Sequence, residues 1–157
     1  VAIALNITEP VSEIEVHSLG LTIETVELSV WEGLAITLNG GEFIIREERE
    51  TFAIPSSRPI LPGENLTLTI TYSGTVRMDG RGLYESWNTL EESVNPYISL
   101  NTDCEPTSAR RWFPCFDEPD KKATFQLTVT HPNETNAYSN AREIFLAMDS
   151  STTRITH

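Results

Sequence analysis

The sequence predicts an all-β fold, a sandwich or a large twisted antiparallel sheet, and three observations carry that reading. Apolar residues recur at every second position through most of the chain, clusters of Gly, Pro and Asn separate the runs, and no segment holds a helical period. Alternation with period two puts one set of side chains on each face of a strand, so one face packs on a core and the other meets water. At 157 residues the chain is long enough to bury a hydrophobic core and is read as one domain, residues 1–157.

The elements follow in order. Val1, Ile3, Leu5 and Ile7 alternate with small or polar residues, and Ile14 and Val16 continue the pattern. TIETVELSVW (22–31) and LAITL (34–38) are the next two strands. NGG at 39–41, between LAITL and EFII, reads as a hairpin turn, because Asn-Gly tolerates positive φ at both central positions. ETFAIP (50–55) is a short strand, and NLTLTITYSGTV (65–76) is a longer one with Leu66, Leu68, Ile70 and Tyr72 on one face. SLG at 18–20 and LPGE at 61–64 are turn signals. Residues 77–95, RMDGRGLYESWNTLEESVN, read as an exposed excursion between strands, and YISLNT as the strand that follows. ATFQLTVTH (123–131) repeats the alternation with Phe125, Leu127 and Val129. The only candidate for a short helical turn is TSARRWF (107–113).

Charge excludes two classes of partner. The net charge is −12, which disfavours nucleic acid and anionic membrane surfaces. The acidic excess lies before residue 101, where five basic residues face fifteen acidic ones. No apolar run reaches about 18 residues, so no membrane contact is expected of this segment. The chain opens directly in a strand pattern without a basic leader, as a fragment would. Three Asn-x-Thr sequons, at Asn6, Asn65 and Asn133, lean towards secretion and glycosylation. Cys104 and Cys115 do not make a disulfide framework, and whether they pair is left open.

The parts of a catalytic centre are missing from the sequence. His17, His131 and His157 are isolated, with no His-x-x-x-His and no Cys-x-x-Cys, whereas a hydrolytic zinc needs about three protein ligands. Neither a Gly-x-Ser-x-Gly elbow nor a phosphate loop occurs. What remains is residues 102–124, TDCEPTSARRWFPCFDEPDKKAT, which break the strand rhythm with three prolines, both cysteines, an Arg pair and five carboxylates. Asp103 and Glu105, two apart at a strand end, share a side if the extended conformation persists, and would suit a substrate ammonium or a hard cation such as calcium. A solvated strand end is the plainer alternative. Arg110 and Arg111 are close enough in sequence to pair with Asp117 or Glu118 and pin the loop. Trp112, Phe113 and Phe116 are its apolar anchors, and Pro114 and Pro119 limit its conformations.

These same residues resemble the signature loop of the alanyl/glutamyl aminopeptidase family of zinc metallopeptidases, T-Q/D-x-E-x-x-x-A-R-x-x-F-P-C-x-D-E-P-x-x-K-A. The match runs without a gap from Thr102 to Ala123. RGLYES (81–86) resembles the G-F/L-Y-x-S element before it, and THPNETNAYSN (130–140) the strand and turn after it. The resemblance implies a saddle-like N-terminal β domain that precedes a zinc-bearing catalytic domain in a secreted or membrane-anchored ectodomain, with peptides as substrates. The GAMEN and HEXXH motifs of that catalytic domain are not in this sequence, so the chain is expected to be inactive alone and to hold no zinc ligand. The resemblance also implies that Asp103 and Glu105 help hold the substrate amino terminus. Asp103, where many members carry Gln, resembles the glutamyl branch, with its calcium and its preference for acidic N-terminal residues. The rival reading is a stand-alone β-sandwich binding module, or an inactive homologue, without peptidase activity.

Overall fold

The computed structural model describes residues 1–30, 34–39, 42–88, 97–148 and 151–157. These form twelve strands and two 3₁₀ turns, with no α-helix among the described residues. The chain divides into two compact units, Val1–Pro119 and Asp120–His157.

The first unit holds β1 (Ala2–Asn6), β2 (Val11–His17), β3 (Leu21–Val30), β4 (Leu34–Asn39), β5 (Ile44–Arg46), β6 (Thr51–Ile60), β7 (Asn65–Gly74), β8 (Gly82–Asn88) and β9 (Tyr97–Asp103). They pair antiparallel in three sheets of order β1-β7-β3-β4, β2-β6-β5 and β8-β9. Alternation decides which side chains go inside. Val26, Leu28, Leu66, Leu68 and Ile70 of the first sheet join Ile14, Val16, Phe52, Ile54 and Ile60 of the second in one buried cluster. Burying each such side chain contributes about 1.5–3 kcal/mol, so this cluster is the main source of cohesion for the unit.

Two register breaks explain where simple alternation fails. Ile23 and Val26 both pack inward although three residues apart, because β3 carries a bulge between Ile23 and Thr25 opposite β7. In β6, Val11 pairs with Ile60 but Glu13 pairs with Pro55, so extra residues bow out of the ladder. Pro55 and Pro59 lack an N–H to donate, which makes that stretch the natural place for the irregularity. β6 therefore runs five residues beyond the expected strand 50–55.

The opposite face of β2-β6-β5 is polar. Arg46 reaches Glu13 at 2.7 Å and Glu15 at 2.6 Å, and the Thr51 hydroxyl donates to Glu15 at 2.6 Å. That hydroxyl, followed by Arg46 and Arg49, outweighs partial desolvation and holds the Glu15 carboxyl below its ordinary range.

The second unit is a three-stranded antiparallel sheet, β10 (Thr128–Pro132), β11 (Phe145–Met148) and β12 (Thr152–Thr156), in the order β10-β12-β11. Thr153, Ile155 and Thr156 are its buried residues, and the Thr128 and Thr156 hydroxyls bond to each other at 2.9 Å.

Two expectations are corrected. Residues 77–95 are not simply an exposed excursion: Gly82–Asn88 forms β8, paired residue for residue with β9 from Gly82↔Asp103 to Asn88↔Tyr97. The strand expected at 123–131 begins only at Thr128, where β12 offers a partner. Leu127 still exchanges backbone bonds with His157, but Phe125 lies outside any strand and is 76% exposed. The hairpin turn expected at NGG falls on Gly40 and Gly41, which lie outside the described residues; β4 pairs with β3 and β5 with β6.

Candidate functional site

The loop after β9 is built from the backbone outwards. β9 delivers Asp103, and the chain then turns, with a cis peptide between Glu105 and Pro106 and the Ser108 N–H donating to the Cys104 carbonyl at 2.9 Å. The 3₁₀ turn Ala109–Arg111 follows, closed by the Trp112 and Phe113 amides on the Ala109 carbonyl. Next, Pro114 is fully buried and Phe116 packs against the core. The rings of Trp112 and Phe113 meet edge to face with centroids 5.2 Å apart.

Four attachments fix this loop to the sandwich. His17 and Cys115 exchange backbone bonds at 2.9 and 3.1 Å. The Leu19 amide donates to the Arg110 carbonyl at 2.9 Å. Asp117 N–H donates to His17 Nδ1 at 3.3 Å. The fourth is Arg110, only 7% exposed, whose Nε reaches Asp117 Oδ2 at 2.8 Å and whose Nη1 reaches Glu50 at 2.9 Å. Burial disfavours the charged guanidinium, yet the bonds to Asp117 and Glu50 outweigh it and hold Arg110 above its ordinary range. Arg111 meets Asp79 at 3.5 Å.

Gly82 is the residue that lets β8 approach. Its φ is +65°, and a Cβ there would stand 2.7 Å from Arg111 Cβ and 3.0 Å from the Ser108 carbonyl oxygen. The left-handed backbone and the close approach to main-chain atoms both require glycine. Glu50 and His17 had no signal in the sequence, being 60 and 100 residues from the loop partners they hold.

Asp103 and Glu105 end up exposed beside this anchored segment. The Asp103 carboxylate accepts the Glu105 amide at 3.2 Å, so the chain turns between them instead of continuing as a strand. Neither carboxylate enters an ion pair among the described residues, whereas Asp117, Asp79 and Asp120 all do.

The two thiols are free. Burial, then the Asp117 carboxylate, pushes Cys115 up to about 12, with Arg110 pulling the other way. Burial followed by Asp117 and Asp103 raises Cys104. Asn6 and Asn65 are exposed, and Asn133 is half-buried with its side-chain oxygen accepting from Thr153 at 2.7 Å.

The described residues bring together no group of three or more His, Cys, Asp or Glu, the minimum for a hydrolytic zinc. Calcium takes six to eight oxygens, and the Asp103–Glu105 pair supplies only a fraction of them. His131 bonds to the Pro132 carbonyl and Thr135, and His157 to the Ala141 carbonyl, which are structural roles.

The whole of residues 1–157 matches the family described as the Peptidase M1 N-terminal domain. The chain belongs to that family. Human glutamyl aminopeptidase is 40% identical over 100 residues, covering 63% of this chain and 10% of its own length. The glutamyl aminopeptidase of Sus scrofa is 29% identical over 143 residues, covering 89% of the chain and 15% of its own length. Human endoplasmic reticulum aminopeptidase 1 is 31% identical over 139 residues, 88% of this chain and 15% of that protein. This M1 module thus spans 10% to 15% of the length of these relatives. No helix among its described residues is long and apolar enough to cross a membrane.

Proposed function

We propose that residues 1–157 act as the N-terminal β domain of an M1 aminopeptidase, and that Asp103 and Glu105 receive the ammonium group at the amino terminus of a peptide substrate. What supports this reading is that both carboxylates are exposed beside a loop anchored at four places and enter no ion pair among the described residues. An ammonium received by carboxylates on an anchored loop gains charge-assisted hydrogen bonds without the cost of ordering a flexible loop. The relatives are named as aminopeptidases, enzymes that act at a free amino terminus, which supports the same assignment.

In this reading the partners are peptides and a catalytic domain elsewhere in the protein. That domain would hold the zinc of an M1 peptidase, and no reaction step is assigned to residues described here. Calcium beside Asp103 and Glu105 would need most of its oxygens from outside the chain, so the reading does not depend on it. Relatives named for the membrane and for the endoplasmic reticulum support an extracellular or membrane-anchored ectodomain as the setting.

The test is kinetic. In the full-length protein, Glu105→Gln should lower kcat/KM on aminoacyl substrates at least about tenfold, the loss of one hydrogen bond to a charged group. Asp103→Asn should do the same to a smaller extent, because that side chain also caps the turn. Full activity in both variants would reject the assignment.

A further inference from the structure

We propose that Asn6 and Asn65 form a single shared N-glycosylation site, with one oligosaccharide, carried by either asparagine, covering the outer corner of the β1-β7-β3-β4 sheet. Both stand in Asn-x-Thr sequons, Asn6-Ile7-Thr8 and Asn65-Leu66-Thr67. Sixty residues of chain bring them together, because Asn6 pairs directly with Asn65 at the end of the β1/β7 ladder.

The type of pair matters. Val1 and Ile70 exchange backbone bonds in both directions at 2.8 Å, and the Ile7 amide donates to the Glu64 carbonyl at 3.2 Å. Bonded and non-bonded pairs alternate along an antiparallel ladder, so Ile3↔Leu68 and Leu5↔Leu66 are bonded pairs and Asn6↔Asn65 is a non-bonded one. In such a pair the Cα atoms are about 4.5 Å apart and the side chains leave the same face at closest approach. A pyranose ring is as wide as that gap. Two oligosaccharides rooted there would crowd each other at their first sugars, and the strain would fall on the end of the ladder.

The surrounding face suits a sugar. Ala2, Ala4, Thr67, Thr71, Glu27 and Ser29 are all exposed there, short or polar, while the apolar residues of the same strands point into the core. No large apolar side chain of the described face calls for a protein partner.

The modification is a group transfer. The side-chain amide nitrogen attacks the anomeric carbon of a lipid-pyrophosphate-linked oligosaccharide. A C–N bond forms, the C–O bond to the lipid pyrophosphate breaks, and the nitrogen gives up one proton. The proposal rests on the secretory setting proposed above, and Asn133 in the second unit serves as the internal reference for that setting.

The test is site occupancy in the folded, secreted full-length protein made in a glycosylating cell. Glycosidase release in heavy water followed by peptide mass spectrometry reads each asparagine. Expected occupancy is about one glycan per molecule summed over Asn6 and Asn65. Asn6→Gln and Asn65→Gln should each still carry one glycan on the remaining site, and the double variant none at this corner. Thr8→Ala and Thr67→Val remove the sequons without touching either asparagine and should repeat the result should the Gln variants fail to fold. Two glycans per molecule at this corner would overturn the proposal. So would an unmodified corner with Asn133 occupied, whereas no glycan at any sequon would overturn both this and the secretory setting.

Discussion

Replacing Arg110 with Met should loosen the whole loop, and the size of the effect follows from what the guanidinium leaves behind. Its side chain and that of Asp117 are 9% and 10% exposed, so neither charge is well solvated, and Glu50 contributes a second carboxylate at 2.9 Å. Removing one member of a buried pair costs about 3–5 kcal/mol, because the survivor stays buried and uncompensated. At about 2–4 °C per kcal/mol for a chain of this size, the thermal midpoint should fall by about 6–20 °C. Urea unfolding of Arg110→Met, Asp117→Leu and the double variant separates pinning from simple packing. The double variant leaves no charge stranded on the pair, so it should lose about 2 kcal/mol less than the two single losses combined. Hydrogen exchange adds a local readout. The His17 and Leu19 amides, which donate to Cys115 and Arg110, should lose protection in Arg110→Met before the rest of β2 does. Single variants each costing under about 1 kcal/mol, or strictly additive losses, would refute the claim that this pair fixes the loop.

Three further outcomes follow from the same geometry. Gly82→Ala combines a left-handed φ with a 2.7 Å contact and should destabilise by about 2–4 kcal/mol, exposing the 3₁₀ turn to proteolysis; a wild-type melting curve would contradict it. Hydrogen bonds from Arg58, then from the Leu61 amide, depress Glu64 from 4.5 to about 2. A depressed carboxyl contributes stability that is present above its unfolded value and lost as pH falls through its folded one, so the loss lies between about pH 4.5 and 2. Arg58→Met should flatten that part of the stability–pH profile, and an unchanged acid limb would exclude the pair as its source. Cys115, raised to about 12, should resist a thiol-directed disulfide reagent at pH 8 in the folded protein and react once unfolded in denaturant; rapid labelling of the native state would show the burial to be wrong.

How much of this was legible beforehand depended on sequence distance. Strands whose alternation is uninterrupted, such as β7 with Leu66, Leu68 and Ile70 inward, could be read from the sequence with their faces. Pairing could not. Alternation marks a strand without naming its neighbour: β4 pairs with β3 and β5 with β6, in different sheets. The strand expected from residue 123 starts only at Thr128, because a strand is a property of a pair and the β10–β12 ladder begins there. β8 was hidden in a segment whose Gly and Arg residues read as loop, although its partner β9 was recognised. Around the loop, proximity made the Arg110–Asp117 pair thinkable at seven residues' separation. Glu50, His17 and Asp79 reach the same loop only through the fold, so nothing local announces them. The Asn6–Asn65 pairing is the same lesson on the outer face.

The most direct test of amine recognition compares two inhibitors on the full-length protein: a peptide analogue with a free amino terminus and its des-amino counterpart. The account predicts that Asp103→Asn/Glu105→Gln weakens the free-amine compound at least about tenfold and leaves the des-amino compound unchanged. Equal weakening of both would make these carboxylates structural, and unchanged binding of both would contradict their role at the substrate amino terminus.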